Sequence, residues 1–311
     1  MYDYEDLMQL SDQELWDQLP KVDGELKSDF LYELSRRSHD KSDFKSALAL
    51  AEQSRDVIIS LKDLTSDSEL IRSYLAVGLN AHKLKYHEIV ISNLEKALEL
   101  SKISHFDSFQ DYSILVDAYD ETGNDEKSIE ILEWQFEKYN ELDEDLECAS
   151  CLAQIAIHYK SLAQLDKALL KQQLALDFAK KAGDTNFTLL IQSQLAETLF
   201  DLENYEESEK IVEKLINSYE LLNNKKNLVS IKFLKYQIEW MTRGNKKELI
   251  DLIKDLSEEI TEQDQESIDQ RILMERTIIN CLEDLGGWAS LREIEKREKR
   301  LDDLEGLVTK E

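Results

Sequence analysis

Residues 152–180 read LAQIAIHYKSLAQLDKALLKQQLALDFAK. Leu152, Ile155, Ala156 and Tyr159 recur at helical spacing and share one face of a first helix. After a turn, Leu165 and Ala168 open a second helix that carries Ala175 and Leu176. Small residues in these columns let two helices approach closely, which makes the stretch a helical hairpin. The pattern returns elsewhere: Leu195, Ala196 and Leu199 lead through Asn204 and Tyr205 to Ser208 and Leu215, and Val77, Gly78 and Ala81 lead to Val90 and Ala97. One column, Ala47, Val90, Ser128, Ala168, Ser208, Leu249 and Leu291, recurs about every 40 residues. A unit of that length cannot bury its apolar face alone, so the units stack into an α-solenoid whose surface, not a cleft, does the work.

Composition points the same way. The 311 residues include 1 proline and 8 glycines, too few turn formers for a large sheet or a dinucleotide-binding fold, so the chain is read as all-α. No apolar run is long enough to span a bilayer, and Met1 to Asp6 lacks the basic region and apolar core of a signal peptide. The expected location is cytoplasmic. Cys148, Cys151 and Cys281 are too few for a disulfide framework, in keeping with a reducing compartment. A net charge of −28 disfavours direct contact with nucleic acid or anionic lipid.

The recurring columns resemble the tetratricopeptide repeat (TPR) over about residues 28 to 305, with about seven hairpins. Gly123, Gly244 and Gly286 fall where each first helix should stop on a left-handed residue, and Phe44, Tyr205 and Trp288 follow the turns as apolar plugs. The unit exceeds the family's usual length, and the proline that commonly closes its second helix is missing. The longer repeat is similar to that of bacterial peptide-sensing regulators. The resemblance implies a right-handed α-solenoid, with residues 1–26 as an N-terminal helical cap and 27–311 as seven repeats ending in a charged capping helix.

The two ends carry their own signals. Ser11-Asp12-Gln13-Glu14 is a capping box that starts a short helix through Leu15, Trp16 and Leu19, stopped at Pro20. Ala289 to Leu304 is a charged helix with Glu293–Arg297 and Glu295–Lys299 spaced as i,i+4 pairs. An alternative use of Leu291, Ile294, Leu301 and Leu304 is a homodimer seam, interrupted by Glu298.

Catalytic, cofactor and metal motifs are not found. Gly286-Gly287 is the one close glycine pair, and no phosphate loop or nucleophile elbow accompanies it. Asp120 to Asp125 looks like a calcium loop, but the repeat register makes it a hairpin turn. Cys148 and Cys151 share a helix with His158, yet at ~1.5 Å rise per residue even Cys151 stands about 10 Å from that ring, too far for one ion. The cysteines are therefore read as packing residues.

Charge along the chain is uneven. From Asp107 to Glu147 there are 15 acidic and 2 basic residues, whereas Leu221 to Lys247 holds 7 basic residues against Glu239 alone. In TPR proteins the first helix of each hairpin lines a concave groove. The resemblance thus implies a groove of Tyr32, Arg36, His39, Arg72 and Lys83, then Asp117, Asp120 and Glu121, then Leu190, Phe200, Leu234, Ile238 and Met241. The lysine and asparagine clamp that some relatives use on a carboxylate tail is not reproduced.

The expected function is a non-catalytic adaptor that binds a protein or peptide with a basic and apolar segment. Two alternatives stand beside it: a peptide-sensing regulator without its own output domain, and an acidic inhibitor that imitates nucleic acid.

Overall fold

The computed structural model describes residues 4–61, 64–104, 112–243, 250–252, 254, 265–285 and 288–308. The chain forms two compact units, Met1–Leu162 and Ala163–Glu311. Unit 1 holds α1 (Tyr4–Gln9), α2 (Asp12–Gln18), α3 (Gly24–Asp40), α4 (Phe44–Ser60), α5 (Asp67–Lys83), α6 (His87–Ser104), α7 (Ser113–Glu121), α8 (Asp125–Glu141) and α9 (Asp145–Ser161). Unit 2 holds α10 (Leu165–Ala182), α11 (Thr185–Asp201), α12 (Tyr205–Leu221), α13 (Lys225–Arg243), α14 (Gln265–Leu285) and α15 (Trp288–Val308). Helices α3 to α9 of unit 1 pack in chain order as stacked hairpins, as do α10 to α13 of unit 2, and α14 packs with α15. The unit boundary falls in the turn of the 152–180 stretch, so α9 belongs to one unit and α10 to the other.

The small-residue column does what close packing requires. Ala47, Val90, Ser128, Ala168 and Ser208 are fully buried, and the Ser208 hydroxyl donates to the Ala196 carbonyl at 2.7 Å. Gly78 on α5 lets Leu94 of α6 come so near that a Cβ would stand 2.5 Å from its Cδ2. The column fails at Leu291, which is 55 % exposed, and Leu249 lies outside the described residues.

The turns share one main-chain design. Ser42, Lys85, Gly123, Asp143, Ala163, Glu203 and Asn223 all have positive φ, from 51° to 69°. In most, the next N–H reaches back five residues, as in Asp43 to Ser38 at 2.9 Å, Tyr86 to Ala81 at 3.0 Å and Asn204 to Leu199 at 2.9 Å. These bonds satisfy the orphan carbonyls at each helix end. Glycine was expected there, and Gly123 fits, but at six turns a residue with a Cβ takes the left-handed form. Gly244 and Gly286 lie outside the described residues. Phe44 packs edge-on against His39 with centroids 5.1 Å apart, and Tyr205 lies 5.5 Å from Phe200. The Trp288 side chain is outside the described set.

Arg37 organises the N-terminal segment. Leu7 and Leu15 are buried with Phe30, Leu31, Leu34 and Leu50. The capping box is present, with Ser11 N–H donating to Glu14 Oε2 at 2.8 Å. From α3, Arg37 donates to the carbonyls of Leu10 at 2.6 Å, Leu7 at 3.1 Å and Met8 at 3.2 Å, and to Asp12 at 3.0 Å. Its Nε meets Glu33, a fully buried carboxylate that also binds Arg36 at 2.8 Å. In unit 2, buried Glu275 of α14 is held by Arg297 of α15 at 2.5 Å. Ile294 and Leu304 are buried, and Leu301 packs on the same unit's core, so three of the four residues read as a dimer seam are used inside the chain.

Candidate functional site

Counting back from the left-handed turn residue gives all first helices a common register. The sixth residue before Ser42, Lys85, Gly123, Ala163 and Glu203 is Arg36, Leu79, Asp117, Ile157 and Glu197, and each is exposed. One position later come Arg37, Asn80, Ala118, His158 and Thr198, of which the last four are buried. In unit 1, α3 lies beside α5 and α5 beside α7, so the exposed column forms part of one wall.

Polar contacts tie this wall together. His39 Nδ1 is 2.8 Å from Asn80 Oδ1, and His82 Nε2 is 3.9 Å from Asp117 Oδ2. Tyr32 and Arg72 line one slot between α3 and α5. Arg36 is engaged by Glu33 and by Asp40 at 2.9 Å, while Lys83 ends α5 exposed. The acidic trio divides. Asp117 and Glu121 face solvent, whereas Asp120 accepts from the Ser128 hydroxyl at 2.6 Å and lies 3.5 Å from His158 Nε2. The other ring nitrogen of His158 is 2.8 Å from Asp125, so this buried imidazole joins α7, α8 and α9.

In unit 2 the expected apolar residues separate. Leu190 and Met241 are exposed, at 45 % and 55 %, and Phe200 is half-buried against Tyr205. Leu234 and Ile238 are buried in the core with Val212 and Leu215, which corrects their reading as groove anchors. The turn that follows α13 lies outside the described residues, so burial alone places Ile238 in the interior. The acidic residues of α7 and the apolar residues of α11 and α13 lie in different units. Part of the basic zone is used internally: Arg243 pairs with Glu209 at 2.7 Å and Glu239 at 3.3 Å, and Lys232 lies 3.9 Å from Glu220. Asp107, Asp111, Lys246 and Lys247 fall outside the described residues.

The sequence reading missed Leu79 and Ile157, exposed apolar residues on the wall, and Glu147, Ser150 and Gln154 of α9. Leu79 and Ile157 follow once the turns are known, whereas the α9 residues come together with α7 only when both helices lie over α8.

Cys148 and Cys151 are both buried and are not joined in a disulfide. Burial, with Cys148 and Glu147 adding to it, pushes the Cys151 thiol up to about 12, unsuited to redox chemistry near neutral pH. Among the described residues, no three His, Cys, Asp or Glu side chains converge as metal ligands, and no helix is long and apolar enough to cross a membrane.

Hairpins of this length, stacked in order with small residues at their contacts, define the tetratricopeptide repeat fold, and solved structures agree. The chain is similar to the apo form of RapI, with a TM-score of 0.57 at 14% identity over 89% of this chain and 98% of that one. It is similar to a signal transduction ATPase with a tetratricopeptide repeat sensor from Pyrococcus horikoshii, with a TM-score of 0.63 at 14% identity over 96% of this chain, and spans 45% of that protein. The apo form of the quorum sensor NprR from B. thuringiensis gives a TM-score of 0.57 at 15% identity over 96% of this chain and 81% of that one. No protein-family profile and no curated protein sequence matches the chain.

Proposed function

We propose that the protein is a non-catalytic cytoplasmic adaptor whose first-helix wall in unit 1 binds a protein or peptide segment with basic and apolar residues. The observation that carries this reading is the exposed column itself. It alternates charged and apolar side chains, Arg36, Leu79, Asp117 and Ile157, on helices whose buried faces are already filled. Apolar side chains beside unspent carboxylates suit a segment that pairs a cationic residue with an aliphatic anchor. Leu79 and Ile157 interrupt the charge, which does not suit a continuous mimic of a phosphate backbone.

Asp120 is committed to Ser128 and His158, so the test reverses Asp117 and Glu121 alone. Asp117→Lys with Glu121→Lys should weaken a partner captured from the native cell severalfold at low salt and less at high salt. Unchanged affinity removes the acidic zone from the reading.

Sensing of a short peptide is the second reading. It is favoured by the likeness of nearly the whole chain to a protein named as a quorum sensor and to one with a repeat sensor. Small-angle scattering that shows compaction on adding one peptide would support it.

A further inference from the structure

Two slots of unit 1 occupy the same place in the repeat. One lies between α3 and α5 over α4, the other between α7 and α9 over α8. Counted from Ser42 and Gly123, Tyr32 corresponds to Ser113, Ser54 to Gln135 and Ile58 to Tyr139. Counted from Lys85 and Ala163, Glu69 corresponds to Glu147, Arg72 to Ser150 and Ser73 to Cys151. All of these residues line their slots.

The first slot contains its own cation. Arg72 lines it with Asp29 and Glu69, and its charge opposes the upward push that burial and Glu69 give the Asp29 carboxyl. In the second slot the glutamate is kept as Glu147, but serine stands where the arginine was. Among the described residues, no cationic side chain lines that slot and Glu147 has no ion-pair partner. Asp117, on the opposite wall, has the His82 ring at 3.9 Å as its one charged partner among the described residues. Its carboxyl is pushed up by burial, pulled back by His82 and pushed up again by Asp120 and Glu121. Carboxylates therefore face a space whose counterpart holds a guanidinium.

We propose that the slot between α7 and α9 receives an arginine side chain of the bound segment, its guanidinium bridging Asp117 and Glu147. The inference rests on the peptide-binding reading above and names the residue recognised. Arginine suits the slot better than lysine because a planar fork of donors serves two carboxylates on different helices, and because Tyr139 offers a ring for it to lie against. Replacement of the arginine by Ser150 leaves room for the guest.

The test uses the full chain and fluorescent heptapeptide mixtures whose central residue is arginine, lysine or citrulline, with flanks drawn from alanine, leucine and serine. In low-salt anisotropy titrations the arginine mixture should bind about tenfold more tightly than the citrulline mixture and severalfold more tightly than lysine. Ser150→Arg, which supplies a resident guanidinium, should erase the preference, and so should the near-isosteric Glu147→Gln. Thermal melts of both variants confirm folding. Equal binding of arginine and citrulline by the unaltered protein overturns the slot, as does a preference that survives in both variants. If binding shows no arginine preference yet collapses in Asp117→Lys with Glu121→Lys, the slot fails and the wall stands. If no mixture binds, both fail.

Discussion

Glu33 on α3 and Gln172 on α10 are both fully buried polar side chains, and the chain treats them in opposite ways. Glu33 carries a charge yet has two arginines, one of which goes on to grip the last carbonyls of α1. Gln172 is neutral, and among the described residues neither end of its amide has a hydrogen-bond partner. Counted from the turn residue, Gln172 shares its column with Ala51, Leu94, Leu132 and Val212, all buried and apolar. Partners, not the size of the charge, decide whether a buried polar group supports the fold.

The largest expected effect comes from breaking the satisfied site. Glu33→Ala leaves a mostly buried Arg37 without its carboxylate and should cost about 3 kcal/mol in urea unfolding. A loss under about 1 kcal/mol would place the support of α1 elsewhere. The apolar column gives the next effect. Gly78→Val drives methyl groups into Leu94, the column-mate of Gln172, and should cost about 2 kcal/mol, seen as a lowered melting temperature.

The unsatisfied site should respond with the opposite sign. Gln172→Leu keeps similar volume, removes two orphan polar atoms and should stabilise by roughly 1–2 kcal/mol. A destabilised variant would show that the amide has a partner in solution.

Acid separates the two sites more gently. Burial raises the Glu33 pKa, but hydrogen bonds from Arg36 and Arg37 outweigh it and hold the carboxylate below its ordinary 4.5. Its contribution is therefore complete above that pH and lost as pH falls through the lowered value. Unfolding measured below pH 4.5 should show a shallower slope in Glu33→Gln than in the unaltered chain. Gln172→Leu should leave the slope unchanged.

The smallest effect concerns the turns. Glu203→Gly relieves a side chain held at φ 60° and should stabilise by up to about 1 kcal/mol.

These sites also show what the residues alone could tell. The period was legible because close packing demands small side chains at Ala47, Ser128 and Ser208, a demand visible at any one position. The turns were only partly legible, since the left-handed form at Lys85 or Glu203 is imposed by reciprocal main-chain bonds and leaves no compositional mark. Placing Leu234 and Ile238 on the groove was an error of helix phase, because a helix stripe read without its turn has no fixed origin. The break between Leu162 and Ala163 depends on contacts distant in sequence, which a local pattern does not carry. The slot was invisible for a related reason: Asp117 and Glu147 are neighbours only once α7 and α9 lie over α8.

The recurrent turn also has a practical use. Because backbone bonds rather than particular side chains fix it, each turn serves as a zero mark from which any position on its helix can be assigned to wall or interior. Residues of the Leu79, Asp117 and Ile157 set could thus be exchanged together to re-target recognition, with the packing beneath left as it is.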